Sequence, residues 1–178
     1  LFDFMFEKNN GEYPRFGDLI KLAKNKNGVA DNDRKFVLLG NPALRLAYPE
    51  YTVHTTEINQ NPAGNEPDTL KALSKITVSG EVHGVGGDLL TSYNGFIYPK
   101  VYDKPNTIRT LGTDDGSYPI DFELQSSILY KGKALVTDGK FRFSFIVPKD
   151  IAYKYGHGKI SYYSNTTSQD ARGYYSNI

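Results

Sequence analysis

Few residues in this chain have types and spacings that could do chemistry. The three histidines, His54, His83 and His157, stand far apart in sequence. Metal ligation is signalled by short spacings such as His-x-His, and none occurs here. His54 falls within an expected strand and the other two in Gly-flanked turns, so all three read as solvated side chains. Asp114-Asp115-Gly116 with Asp121 resembles an oxygen-rich calcium loop only loosely, because the acids are not spaced by two and no Glu closes the loop. A turn that uses Asp and Gly for backbone reasons explains Asp114 and Asp115 as well. Asp170 near Gly173 is weaker still. Gly84-Val85-Gly86-Gly87 lacks the Lys-Ser or Lys-Thr and the following helix of a phosphate loop. Asn165-Thr166-Thr167 matches a glycosylation sequon, a short and common pattern. The 20 acidic residues are scattered and single out no carboxylate pair. There is no cysteine, which removes a thiol nucleophile, a disulfide framework and a thiolate metal site from these residues. The residues therefore predict no catalytic, no cofactor-binding and no metal-ligating position, and no cofactor.

Composition narrows the classes further. The net charge is +1, from 21 basic and 20 acidic residues, so no single-sign field or basic stripe points to nucleic acid. No apolar run approaches the roughly 18 residues of a membrane span, and the start lacks the basic and apolar regions of a signal peptide. The chain also begins without Met, which fits a piece of something longer. Tyr (14) and Phe (10) are abundant and Trp is absent. Such rings suit half-buried strands, packing inward with a hydroxyl toward water. The tyrosines Tyr153, Tyr155, Tyr162, Tyr163, Tyr174 and Tyr175 read chiefly as core and edge packing, with a carbohydrate or partner platform as the other reading.

The elements that must position these residues fall into two parts. Phe16, Leu19, Ile20 and Ala23 form an i, i+3, i+4, i+7 stripe and predict a helix over 13–25. Leu1 to Phe6 reads as the end of an earlier helix, and Asn25 to Arg34 as a polar loop with Gly28. Phe36-Val37-Leu38-Leu39 is an unbroken apolar run stopped by Gly40-Asn41-Pro42, the pattern of a strand buried on both faces in a helix-covered sheet. Burying such side chains is worth roughly 1.5–3 kcal/mol each, so they are expected to be covered. After Pro49 the period changes to two. Strands are expected at Tyr51–Thr56, Ile76–Val82, Gly95–Tyr102, Thr107–Leu111, Ile120–Leu124, Ile128–Lys131, Ala134–Val136, Phe141–Phe145 and Lys159–Tyr163. Pro99 suggests an edge strand or a bulge, and Thr137-Asp138-Gly139-Lys140 a hairpin turn. Phe141, Phe143 and Phe145 line one face and read as core. Ser164 to Ile178 is polar and reads as unstructured or incomplete. The fold class expected is mainly β: an antiparallel sandwich over 49–178, preceded by the last helix and strand of an α/β domain over 1–48.

Three segments together resemble a known family. Phe16-Gly17-Asp18-Leu19-Ile20-Lys21-Leu22-Ala23-Lys24, followed by Lys35-Phe36-Val37-Leu38-Leu39-Gly40-Asn41-Pro42-Ala43-Leu44-Arg45-Leu46, is similar to the end of the catalytic domain of gingipain-like cysteine peptidases, the caspase-fold family of Bacteroidetes. Asn41 stands where that family usually has Asp, and both suit a turn before Pro. Asp68 to Gly80, and Ile128 to Ala134 running into Phe143 to Ile151, resemble the region after the catalytic domain in the family's type IX secretion sortases. The resemblance implies a caspase-like remnant at 1–48 and an immunoglobulin-like sandwich at 49–178. It also implies a parent peptidase or sortase on the extracellular face of the outer membrane that removes C-terminal signals from cargo. Implied partners are the upstream catalytic domain of the same polypeptide and secretion-system proteins. The family's chemistry needs a Cys nucleophile activated near a His. No residue here can be that Cys, and no His precedes the closing strand, so no catalytic position transfers. The alternative is a stand-alone adhesin or carbohydrate-binding β module, in which Tyr162 and Tyr163 would be the residues to test.

Overall fold

The structure is a computed structural model and describes residues 2–27, 35–64 and 69–178. The loop expected around Gly28 and the Asn65–Asp68 stretch lie outside the described residues. The chain forms two compact units, Leu1–Tyr48 and Pro49–Ile178.

In the first unit, α1 (Phe2–Met5) and α2 (Phe16–Asn27) are the described helices. The predicted stripe is the packed face of α2: Leu19 is fully buried and Phe16, Ile20 and Ala23 are half-buried. A helix start leaves unpaired N–H groups. Here the segment after the apolar run supplies their acceptors, Phe16 N donating to Leu44 O and Gly17 N to Pro42 O, both at 2.9 Å. The Asn41 side chain accepts from Ala43 N at 2.9 Å, doing the turn work that Asp would do. Arg45 reaches Glu12 at 2.6 Å and Tyr13 O at 2.9 Å. Phe36–Leu39 departs from expectation. It forms no strand, and Phe36, Val37 and Leu39 are exposed, Leu39 at 92%. The reason is physical: a strand needs a pairing neighbour, and no described residue of this unit presents one.

The second unit is a barrel- or sandwich-like β structure. Its strands are β1 (Tyr51–Ile58), β2 (Asn61–Pro62), β3 (Lys75–His83), β4 (Gly95–Tyr102), β5 (Asn106–Arg109), β6 (Asp121–Leu124), β7 (Ile128–Lys131), β8 (Ala134–Thr137), β9 (Lys140–Ile146), β10 (Lys159–Asn165) and β11 (Asp170–Tyr175). Hydrogen-bonded pairing runs β10-β11-β1-β3-β9-β8-β4 and returns from β4 to β10, so the sheet closes on itself. All pairs are antiparallel except β1–β11. The alternation predicted for β3 and β9 is the inside–outside pattern observed: Ile76, Val78 and Val82 are inward, as are Phe141, Phe143 and Phe145. Tyr130 stacks on Phe145 at 5.0 Å between ring centroids, and Phe145 on Phe143 at 6.3 Å. Asp138 and Gly139 both have positive φ, the hairpin turn their sequence predicted.

Two expectations are corrected. Ser164–Ile178 is not unstructured, because β11 pairs with β10 over six residues and begins on β1. Pro99 does not mark an edge, since β4 is paired on both sides. It marks an interruption. β8 and the Tyr130–Lys131 part of β7 share one register along β4 and break opposite Pro99, whose nitrogen has no hydrogen to donate, while Pro99 O accepts from Gly132 N at 3.1 Å. The β4–β7 register then shifts between Val101 and Tyr102, a bulge-like irregularity.

β1 is held between two glycines. A Cβ on Gly80 would lie 2.4 Å from His54 O, and one on Gly173 would lie 2.0 Å from Val53 O. Neither backbone oxygen can yield without loosening the ladder. Gly173→Ala is expected to cost more than about 2 kcal/mol in urea unfolding, while Tyr174→Ala, at an exposed neighbour, stays within about 0.5 kcal/mol. A wild-type midpoint for Gly173→Ala would refute the clamp.

Candidate functional site

The histidines are not all apart. β1 and β3 pair with His54 opposite Glu81 and Thr52 opposite His83, which places four side chains on one outer face. The imidazole centroids of His54 and His83 are 4.6 Å apart. His83 Nε2 lies 3.2 Å from Glu81 Oε2, His54 Nε2 lies 3.0 Å from Thr52 Oγ1, and Lys140 Nζ lies 3.6 Å from Glu81 Oε1. Burial first, and then the neighbouring His83, hold His54 below the usual histidine value, with Glu81 pulling the other way. Sequence spacing missed this pair because cross-strand neighbours follow from register, not from separation along the chain. His157 stays apart, its carbonyl accepting from Gln125 at 3.4 Å. Among the described residues no group of three His, Cys, Asp or Glu side chains is arranged to hold a metal ion.

The other sequence candidates separate by location. Asp114 and Asp115 are exposed in a turn at Gly116, where Asp114 O accepts from Ser117 N and Oγ. The Gly84–Asp88 turn spends its Gly84 and Gly87 amides on its own carbonyls. Asn165 closes β10, and its amide oxygen is buried without a partner among the described residues. Tyr162 is core: its hydroxyl lies 2.7 Å from Thr55 Oγ1, and burial pushes its phenol far above the ordinary range. Tyr163 is outward, its ring 6.2 Å from that of Tyr98 and nearly parallel to it. Lys133 Nζ sits 3.7 Å above the Phe96 ring beside them. Phe96, Tyr98 and Tyr163 thus make an outer aromatic row across β4 and β10.

One half-open pocket has a buried ion pair in its wall. At one end of the β unit a cavity of about 570 Å³ lies between the strand ends and the 148–158 loop, with Leu70, Leu129, Ile151 and Ile178 on its wall. Asp103 and Lys104, just past β4, form a buried pair in that wall at 2.8 Å, both side chains 8% exposed. Asp103 accepts from Lys104 Nζ and the Lys104 amide through one oxygen, and from the Ala152 amide at 3.0 Å through the other. Burial pushes the Asp103 carboxyl up, but these hydrogen bonds and the Lys104 charge pull harder and hold it below the usual range. Tyr153 and Tyr155 stand exposed on the rim. No sequence signal announced this space, because loops remote in the chain build it.

Just past the same strand end, β5 and β6 pair as a two-stranded arm whose residues are all exposed. Ile108 opposes Phe122, and Leu124 shares their face. Thr107, Arg109, Asp121 and Glu123 occupy the other.

No family model matches the chain, and no curated protein sequence matches it. Among solved structures, dimeric latent PorU from Porphyromonas gingivalis is similar along 100% of this chain, at 26% identity and a TM-score of 0.63. The chain spans 17% of that protein. The resemblance to a PorU-like C-terminal region, read from three sequence segments, is thereby supported. Spo0M, a sporulation control protein from Bacillus subtilis, matches 74% of the chain and 49% of its own length, at 14% identity and a TM-score of 0.40.

The histidine pair carries a pH signature. Because the folded His54 value lies below 6.5, the unfolded chain takes up its proton first as pH falls. The His54 contribution is present above that value and is lost as pH drops through it toward the folded value. His54→Gln is expected to flatten the fall in unfolding midpoint between about pH 7 and 5.5. An equally steep fall in the variant would show that His54 does not contribute.

Proposed function

We propose that this chain is a non-catalytic C-terminal region of a gingipain-like cell-surface cysteine peptidase, of the kind that acts as a sortase in type IX secretion. The observation that carries this reading is the full-length similarity to PorU in a chain that has no cysteine. A cysteine peptidase acts through a thiolate attacking the scissile carbonyl, with a nearby His holding the proton. Neither partner of that dyad is assigned to any residue here. In this reading 1–48 is the end of the caspase-like catalytic domain, and 49–178 is an immunoglobulin-like module following it.

The division of labour follows from what each part offers. The packed start of α2 and the exposed Phe36, Val37 and Leu39 suit a segment whose remaining sheet lies elsewhere in the polypeptide. The β unit has a closed sheet and few free edges, as a rigid spacer requires. It would brace the catalytic domain or present a surface to secretion proteins outside the outer membrane. No described helix is long and apolar enough to cross a membrane.

A second reading rests on the aromatic row. Exposed rings with a neighbouring cation suit stacking on a sugar face, which would make the β unit an adhesin-like module. Tyr163→Ala, but not a core change at Tyr162, tests it. Unchanged retention on an immobilised glycan array would end this reading.

The leading reading predicts that the purified chain hydrolyses no casein or fluorogenic peptide above buffer, with or without a thiol-alkylating agent. Measurable cleavage would overturn it. The open reading frame upstream of Leu1 is expected to encode a caspase-like stretch with a His and then a Cys. An unrelated upstream domain would favour the adhesin reading.

A further inference from the structure

The wall of the end cavity holds an incomplete hydrogen-bond inventory. An ammonium group has three donors, and a buried charge needs its remaining protons satisfied. Among the described residues Lys104 Nζ has one acceptor, Asp103 Oδ1. Asp103 is by contrast saturated, with three donors on its two oxygens. The demand left over is therefore for an acceptor, and Lys104 is among the residues that line the cavity. Charge points the same way: the Lys71, Lys104 and Lys154 side chains line the space, where Asp103 is the one side-chain carboxylate and the last residue, Ile178, is also on the wall. Part of the remaining wall is aliphatic, from Leu70, Leu129, Ile151 and Ile178, beside three tyrosines and His157. A volume of about 570 Å³ is that of a small-molecule site, and an apolar pocket with a few convergent polar groups is what such a site needs.

We propose that this cavity binds an aliphatic carboxylate, with its chain against the aliphatic wall and its carboxylate accepting from Lys104. The head group completes the ammonium's inventory while Asp103 keeps its own three donors. The exposed Tyr153 and Tyr155 are placed to cover the chain once it is seated. The site stands independently of the reading as part of a larger peptidase.

Titration calorimetry of the 178-residue chain with octanoate, below its micelle concentration, tests this. Saturable one-to-one binding is expected, at least about tenfold tighter than for 1-octanol, since the difference is a charge-assisted hydrogen bond. Affinity should fall as salt rises. Two variants act by different routes. Asp103→Asn with Lys104→Met removes both charges while keeping the volumes, and should cost about tenfold or more. Ala152→Phe fills the space without altering the pair, and should abolish binding. Equal affinity for octanol and octanoate would overturn the proposal, as would retention of binding in both variants. Binding of an apolar peptide with a free C-terminal carboxylate, in the absence of octanoate binding, would overturn the choice of ligand.

Discussion

The seven-residue ladder between β4 and β10 is the constraint on which the β unit depends. Without it the sheet would be an open strip with two long edges, and its inward rings would face water. With it the pairing returns to its start, and Ile97, Val101 and Ile160 become fully buried on the inside. Closure also explains how β4 tolerates Pro99. A proline removes one ladder donor, a cost usually confined to edges. Here the loss falls where β7 gives way to β8, and the strand across the gap still donates Gly132 N to Pro99 O. The same β4–β7 hairpin continues past the barrel through Asp103 and Ser127, whose backbone bond at 2.9 Å links it to the arm of β5 and β6. An isolated two-stranded ribbon is marginal in water. The arm keeps its form because its base is already ordered within the closed sheet.

That continuity sets the geometry of the end cavity. Asp103 and Lys104 sit at the point where the hairpin leaves the barrel, so their backbone is fixed by the ladder on one side and the arm on the other. A buried ion pair pays heavily for desolvation and is held only when its lone pairs and protons find partners. Asp103 finds them in the Ala152 amide as well as in Lys104, which ties the 148–158 loop to the strand end. Lys154 Nζ adds a second tie, donating to Pro105 O at 2.6 Å. A polar tether under an apolar wall keeps the loop over the cavity while leaving the space unfilled. The pair is thus better understood as fixing a shape than as adding net stability.

How much of this was legible in the sequence depends on which force wrote it. β3, β4 and β9 announce themselves, because alternate residues face a core and the period of two is visible in Ile76-Val78-Val82 and Phe141-Phe143-Phe145. The Asp138-Gly139 turn is equally legible, since positive φ restricts residue choice. β11 was hidden for a steric reason. Gly173 must be small because Val53 O lies so close, and the other inward residue is only Ala171, so the hydrophobic signal of a strand is weak. Phe36–Leu39 was misread for the opposite reason. A short apolar run states that burial is wanted but not what provides it. The histidine pair and the cavity were invisible because both arise from register and loop closure between distant segments, information that no local window contains.

Among the described residues, surfaces and one pocket offer more to a ligand than any single side chain offers to covalent chemistry. Covalent catalysis needs an activated nucleophile and a base within hydrogen-bond reach. The imidazoles of His54 and His83 pair with Glu81, and that cluster faces outward beside threonine rather than serine or cysteine in a cleft. Threonine Oγ1 at 3.0 Å from an imidazole has the reach of a nucleophile–base contact, but it sits on an open sheet face with no converging donors to stabilise an oxyanion. The buried phenol of Tyr162 is raised so far that it stays protonated and serves as a packing group anchored on Thr55. What remains are three exposed or half-open features: an amphipathic arm, an aromatic row with a lysine over it, and a pocket with a buried Asp–Lys pair in its wall. Each displays a kind of group that a folded chain normally covers, and each is held there by the closed sheet. A closed sheet that holds such groups in place suits recognition, because the groups need no reordering when a partner arrives.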